Sequence, residues 1–225
     1  MDVPSIRGVL LDIDGTMYEQ SQLRNRMLRE IIKENIKKPI YLSILLKWLY
    51  IFRKEREKLR FSNNNCHRIN DYQYSLIHEK YRVDEEFIMK IVDEWILTKP
   101  LTFLHLYVKT GLSVFLEYCS EKSIRIGVYS DYPTQKKIQA LGCTKFCELF
   151  LESTSPQINA FKPSPKGLLL ACRIWDIDPA QLLYIGDRSE IDAQAARNAG
   201  CQFVLMGKTH SPTYPCVSEF QELTD

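Results

Sequence analysis

Asp12 and Asp14 stand one residue apart, directly after the apolar run Gly8-Val9-Leu10-Leu11 and directly before Gly15-Thr16. An apolar run of this length reads as a buried parallel strand. Gly15 lets the chain turn at its end, where ligands bind in open α/β sheets. Alternate side chains of a strand point to opposite faces, so the two acids meet different surroundings. Such a pair can supply a nucleophile and a proton donor. Later segments offer what would complement them. Ser130 closes the apolar run Ile124 to Tyr129, Lys162 lies in Phe161-Lys162-Pro163-Ser164-Pro165, and Asp187 and Asp192 follow the strand-like Leu182 to Ile185 in Gly186-Asp187-Arg188-Ser189-Glu190-Ile191-Asp192. A hydroxyl, an ammonium and a set of carboxylates suit phosphoryl transfer, which is mostly positioning and charge neutralisation. Carboxylates also suit a hard cation such as Mg²⁺, and no His-Cys cluster competes for it. Each residue alone has a plain structural use. Asp-Gly is an ordinary turn, Ser130-Asp131 caps a helix starting near Pro133, Lys162 is a loop lysine, and Asp187 and Asp192 favour a helix N-terminus.

The elements that must position these residues alternate. Helices are expected over Leu112–Glu121, Gln135–Leu141, Pro165–Trp175 and Ala193 to a stop at Gly200. Strands are expected over Ile124–Tyr129, Leu149–Glu152, Leu182–Ile185 and Gln202–Leu205. That order is the pattern of a doubly wound parallel sheet. The fold class is therefore α/β, a Rossmann-like three-layer core.

Between the first strand and the resumption of the core near Thr110, the sequence reads as an all-helical insertion, poor in Gly and Pro. Helices are expected over Leu23–Ile36, Ile40–Phe61, Asp71–Tyr81 and Asp84–Leu97, the last opened by Asp84 as N-cap. The expected division is core 1–17 and 110–225, helical domain 18–109. Asn63-Asn64-Asn65 reads as a loop. Ile40–Phe52 is apolar on more than one face but falls short of the ~20 residues of a membrane span. A helix buried in the insertion or against a second subunit is the better reading; membrane-surface contact is the lesser one. The basic flank Arg53 to Arg60 reads as a solvated face with i,i+4 pairs. Trp48, Trp95, Tyr72, Tyr74 and His67 are candidates for a substrate pocket, though such aromatics are more often core.

The composition, 45% hydrophobic and 26% charged, is that of a globular chain, and a net charge of +2 gives no reason to expect nucleic acid. Seven cysteines without CxxC spacing suggest reduced thiols and a cytoplasmic setting. Cys143 and Cys147, four apart near a helix end, read as core. Asp2, Arg7 and Asp12 interrupt the N-terminal apolar residues, so no targeting segment is expected.

The four segments, Asp12-Ile13-Asp14-Gly15-Thr16, Ser130, Lys162 and Gly186 to Asp192, resemble in order the motifs of the haloacid dehalogenase-like (HAD) hydrolase superfamily, phosphatase branch. The resemblance implies an Mg²⁺-dependent phosphomonoester hydrolase acting on a small phosphorylated metabolite. In it Asp12 becomes an aspartyl-phosphate, Asp14 is general acid and base, Ser130 binds a phosphoryl oxygen and Lys162 neutralises charge. Metal ligands would be Asp12, the Asp14 carbonyl and Asp187, with Asp192 beside them. The helical insertion would be a C1-type cap that closes over the site. The pattern departs from the family at Ser164, where an acid is common, and Arg188 follows Asp187. A phosphomutase sharing the intermediate, and a non-catalytic protein binding a partner through its cap, stay open, as do monomer and homodimer. A dehalogenase is disfavoured because it has no need of Asp14 or a metal.

Overall fold

The computed structural model describes residues 5–62, 68–207 and 213–224. Asn63, Asn64, Asn65 and His67 lie outside them. The chain runs from β1 (Gly8–Leu11) into α1 (Gln20–Asn35), α2 (Pro39–Arg60), α3 (Ile69–Tyr81) and α4 (Glu85–Val92). A π-helical turn (Asp93–Thr98) and a 3-10 stretch (Lys99–Tyr107) follow. Then come α5 (Leu112–Glu121), β2 (Arg125–Ser130), α6 (Gln135–Ala140), β3 (Leu149–Glu152), α7 (Lys166–Trp175), β4 (Leu182–Gly186), a π-helical turn (Ser189–Ala193), α8 (Gln194–Ala199), β5 (Gln202–Met206) and β6 (Cys216–Val217). Two compact units result: Met1–Gln20 with Leu104–Asp225, and Ser21–Phe103.

The first unit is a six-stranded, wholly parallel sheet in the order β3-β2-β1-β4-β5-β6. All of β1 is buried, which is why its sequence is continuously apolar rather than alternating. Strand alternation still sorts its side chains. Leu10 joins Tyr129, Tyr184, Phe203 and Leu205 from neighbouring strands in one cluster with Leu168, Ala171 and Trp175 of α7 and Ala195, Ala196 and Ala199 of α8. α5 packs against β2, and its Phe115 ring lies 5.3 Å from Phe220. The order reverses at β1, whose neighbours β2 and β4 diverge into opposite halves of the sheet. That is the switch point at which open α/β sheets place their ligands, outside the C-terminal strand ends.

The second unit is helical. On α2, Leu45, Trp48, Leu49 and Phe52 are buried at i, i+3, i+4, i+7 spacing, while Ile40 (78%) and Tyr50 (63%) stay exposed. That is why Ile40–Phe52 looks apolar on more than one face in sequence. Among the described residues no helix is long and apolar enough to cross a membrane. Trp48, Trp95 and Tyr74 are buried, Trp48 edge-on to Tyr81 and Tyr74 against Phe52; Tyr72 is exposed. Asp84 caps α4 through the Phe87 N–H as expected, but the α-helix stops at Val92. Pro100 has no N–H to give back to the preceding turn, and the backbone widens ahead of it. Cys143 and Cys147 are buried, in the turn beyond α6 rather than on a helix.

Buried polar groups tie α2 to α3. Arg56 Nε donates to Gln73 Oε1 (2.9 Å), and Gln73 Nε2 donates to the Phe52 carbonyl (2.9 Å). Glu55 accepts from Lys58, Lys80 and Tyr81 at 2.8–3.2 Å. Burial alone would push the Glu55 carboxyl up, but those three donors outweigh it and hold it at about 2. Because that value lies below the ordinary 4.5, the stabilisation is complete above pH 4.5 and is lost as pH falls toward 2. Glu55→Gln should therefore lower the thermal midpoint at pH 7, and the gap from wild type should close between pH 4.5 and 2. A gap that stays constant over that range would remove the charge on Glu55 from the account.

Candidate active site

Four strand ends and their following loops converge. Asp12 comes immediately after β1 and anchors there through its own N–H to the Ile185 carbonyl (2.8 Å). Ser130 ends β2, Lys162 lies in the loop between β3 and α7, Asp187 follows β4, and Asp192 lies in the π-helical turn behind it. Asp12, Asp14, Ser130, Lys162, Asp187 and Asp192, singled out from the sequence, come from four segments far apart in the chain and meet at this end of the sheet.

Lys162 is the hub. It is 4% exposed, and its ammonium reaches Asp12 Oδ1 at 2.5 Å, Asp192 Oδ1 at 2.7 Å and the Tyr184 hydroxyl at 2.9 Å. Three partners match its three N–H donors. Its backbone N–H also donates to Asp131 Oδ1 (3.3 Å), and that oxygen accepts from Ser153 Oγ (2.5 Å), so the loop is fixed at both ends of the side chain. Asp192 is pinned by the Tyr184 hydroxyl (2.9 Å) and by the Arg188 N–H on its other oxygen (3.0 Å). Thr16 Oγ1 donates to Asp12 Oδ2 (3.2 Å).

Asp12, Asp187 and Asp192 bring carboxylate oxygens within 4.8 Å of one another. Burial pushes the Asp12 carboxyl well up; Lys162 opposes this, while Asp192, Asp187 and Asp14 add to it. Burial and then Asp192 raise Asp187 to about 7, against Lys162 and Arg188. Burial would lower Lys162, but Asp12 and Asp192 hold it well above its ordinary value. The Lys162 ammonium bonds two of these three carboxylates, leaving an excess of negative charge that a further cation would relieve. An all-oxygen donor set is the chemistry a hard divalent cation selects, so the residues fit Mg²⁺.

The Asp14 carboxylate does not join that cluster. It accepts from Lys137 Nζ at 2.6 and 2.5 Å, from Ser130 Oγ at 3.1 Å and from the Tyr18 hydroxyl. Burial would raise Asp14, but Lys137 and then the Tyr18 and Ser130 hydrogen bonds leave it lowered. Ser130 Oγ in turn accepts from the Tyr132 N–H (3.2 Å) rather than capping α6.

Sequence reading missed Lys137, Tyr184, Tyr18 and Asp131. Tyr184 carried a faint signal as a polar tip in an otherwise apolar strand three residues before Asp187. Lys137 carried none, since nothing in a helical Lys-Lys pair says that the second is 8% exposed.

Gly15 permits the close approach. Its φ is +102°, and a Cβ there would stand 2.1 Å from Asp187 Oδ2. Gly15→Ala should lower stability by about 1–3 kcal/mol and displace Asp187. Denaturant unfolding together with metal-binding calorimetry would read both effects, and full retention of both would contradict the crowding.

The sequence profile of haloacid dehalogenase-like hydrolases matches residues 6–200. The chain is 26% identical over 197 residues to a glyceraldehyde 3-phosphate phosphatase of Methanopyrus kandleri, covering 87% of this chain and 81% of the other. It is 27% identical to a phosphoglycolate phosphatase of Shigella dysenteriae over 93% and 83% of the two chains. In fold it is similar to a HAD-hydrolase of Bacillus subtilis solved bound to magnesium, with a TM-score of 0.67 at 16% identity over 98% and 97% of the two chains.

Proposed function

Since the chain belongs to the haloacid dehalogenase-like hydrolase family, we propose that it is a phosphomonoester hydrolase in which Asp12 attacks the phosphorus of a small phosphorylated metabolite. The observation that carries this is the Lys162 ammonium fixed between Asp12 and Asp192, with Asp187 alongside, at the sheet's switch point. The relatives named as phosphatases of glyceraldehyde 3-phosphate and phosphoglycolate support a small alkyl phosphate as substrate.

Asp12, Asp187 and Asp192 would hold Mg²⁺, with the Asp14 carbonyl as a further ligand. The metal supplies positive charge against the phosphoryl oxygens. Asp12 Oδ forms a bond to phosphorus as the bond to the substrate oxygen breaks, leaving an aspartyl-phosphate. Ser130 Oγ, which donates to Asp14 Oδ2 at rest, would turn to donate to a phosphoryl oxygen, and Lys162 would neutralise charge shared by Asp12 and the phosphoryl group. Asp14 delivers a proton to the departing alkoxide, then takes one from the water that attacks the intermediate. At rest Asp14 is an anion; a phosphoryl dianion arriving beside it and drawing off the Ser130 hydroxyl raises its proton affinity. Ser21–Phe103, inserted in the chain between β1 and β2, is read as the cap that selects the leaving group. The seven cysteines, spread without CxxC spacing, support a cytoplasmic setting.

Phosphate release from a panel including phosphoglycolate and glyceraldehyde 3-phosphate, with Mg²⁺, tests the reading. Asp12→Asn should lower turnover by at least about 10³-fold while the protein stays folded. Turnover retained in that variant would refute the nucleophile.

Cation binding carries its own sign. With Asp12 raised and Asp187 at about 7, the metal must displace protons, so Mg²⁺ affinity should rise as pH increases through 7. Calorimetry at pH 6.5 in two buffers of different ionisation enthalpy should show proton release, whereas buffer-independent heats and a flat pH dependence would contradict the carboxylate assignment.

A further inference from the structure

Lys137 is a buried lysine that the mechanism above does not use. It projects from α6, is 8% exposed, and spends its charge on one group, bonding both oxygens of Asp14 at 2.6 and 2.5 Å. Its ammonium also lies 5.1 Å from the centre of the Tyr132 ring, a cation–π contact. The start of α6 is itself tethered, with the Thr134 N–H donating to Glu152 Oε1 (2.9 Å).

Structural need does not account for Lys137. Tyr18 already donates to Asp14 Oδ1 and Ser130 to Oδ2, one donor per oxygen. Lys137 adds a second donor to each, at the expense of desolvating an ammonium, and a buried ion pair is by itself weak support for a fold. What the second pair of bonds adds is direction. A carboxylate held through both oxygens by one fixed cation has its plane set, and a proton transfer depends on that plane.

Resting on the phosphatase reading, we propose that Lys137 is a positioning residue that aims Asp14 at the oxygen of the leaving alcohol. In that step the Asp12 Oδ–P bond forms and the P–O bond to the leaving group breaks. The bonding pair stays on the leaving oxygen, which takes the Asp14 proton. Lys137 touches neither phosphorus nor alcohol and acts only through Asp14. The two lysines divide the work: Lys162 serves Asp12 and Asp192, Lys137 serves Asp14.

The leaving group reads this role. An alkoxide needs the proton, whereas p-nitrophenolate leaves without it. The test compares kcat/KM, which excludes hydrolysis of the intermediate, for p-nitrophenyl phosphate and for the better alkyl substrate of phosphoglycolate and glyceraldehyde 3-phosphate. In Lys137→Met the alkyl-to-aryl ratio should fall by tenfold or more, to about 10², and Lys137→Arg, which keeps a charged donor, should restore it at least in part. A ratio that moves by less than about tenfold, with both substrates falling together or neither, overturns the proposal. Because partial unfolding lowers both rates equally, the ratio stays informative for a poorly folded variant. Asp12→Asn assayed alongside separates the two readings: activity there would remove the nucleophile, while its loss with an unmoved Lys137 ratio removes only the positioning role.

Discussion

The ammonium of Lys162, buried against Asp12, Asp192 and the Tyr184 hydroxyl, is the interaction on which the rest of the site depends. One positive charge cannot balance three adjacent carboxylates, and burial first, with that surplus added to it, raises the proton affinity of Asp12 and Asp187. The imbalance is one that a divalent cation would relieve. Without Lys162 the imbalance would be worse, since stripping the partner from a buried ion pair costs about 3–5 kcal/mol. The same charge is what a phosphoryl group would meet on approaching Asp12.

Holding such a cluster requires rigid supports, and the parallel sheet provides them. β1 and β4 are adjacent and in register through Leu11 and Ile185, so Asp12 and Asp187 emerge side by side. β2 lies on the other flank and ends in Ser130. The approach of the two loops is so close that glycine is needed at two points: a Cβ on Gly15 would strike Asp187, and one on Gly186 would stand 2.5 Å from Asp192. Each acid then has its own set of donors. Asp14, though only two residues from Asp12, faces Tyr18, Ser130 and Lys137 and is held as an anion, whereas Asp12 is pushed toward protonation. Opposite environments for neighbouring carboxylates are what separate a nucleophile from an acid and base.

Much of this was legible in the sequence because the elements are short, periodic and sharply ended. Leu112–Glu121 and Leu149–Glu152 form over the expected residues, and the strands that end at Ser130 and Gly186 differ from expectation by one residue. The two-residue β6 escaped notice, for Cys216–Val217 carries no apolar run and pairs only because β5 presents an edge. The π-helical turn at Ser189–Ala193 was equally hidden within a helical pattern. Motif residues were legible because each lies at a strand end or in the loop or turn beyond one; Lys137 was not, because what makes it matter is burial and direction. Periodicity places a side chain on a helix face but does not say which partner it reaches. The inward face of α2 was legible by the same periodicity, but the tie between Arg56 and Gln73 depends on how two helices meet.

Trapping the covalent species tests the central claim most directly. Enzyme quenched during turnover of a phosphate ester is reduced with borohydride, which converts an aspartyl-phosphate to homoserine, and is then mapped by peptide mass spectrometry. The account predicts homoserine at position 12 alone, dependent on substrate and Mg²⁺. Homoserine at position 14, or none at any position while phosphate is being released, would contradict it.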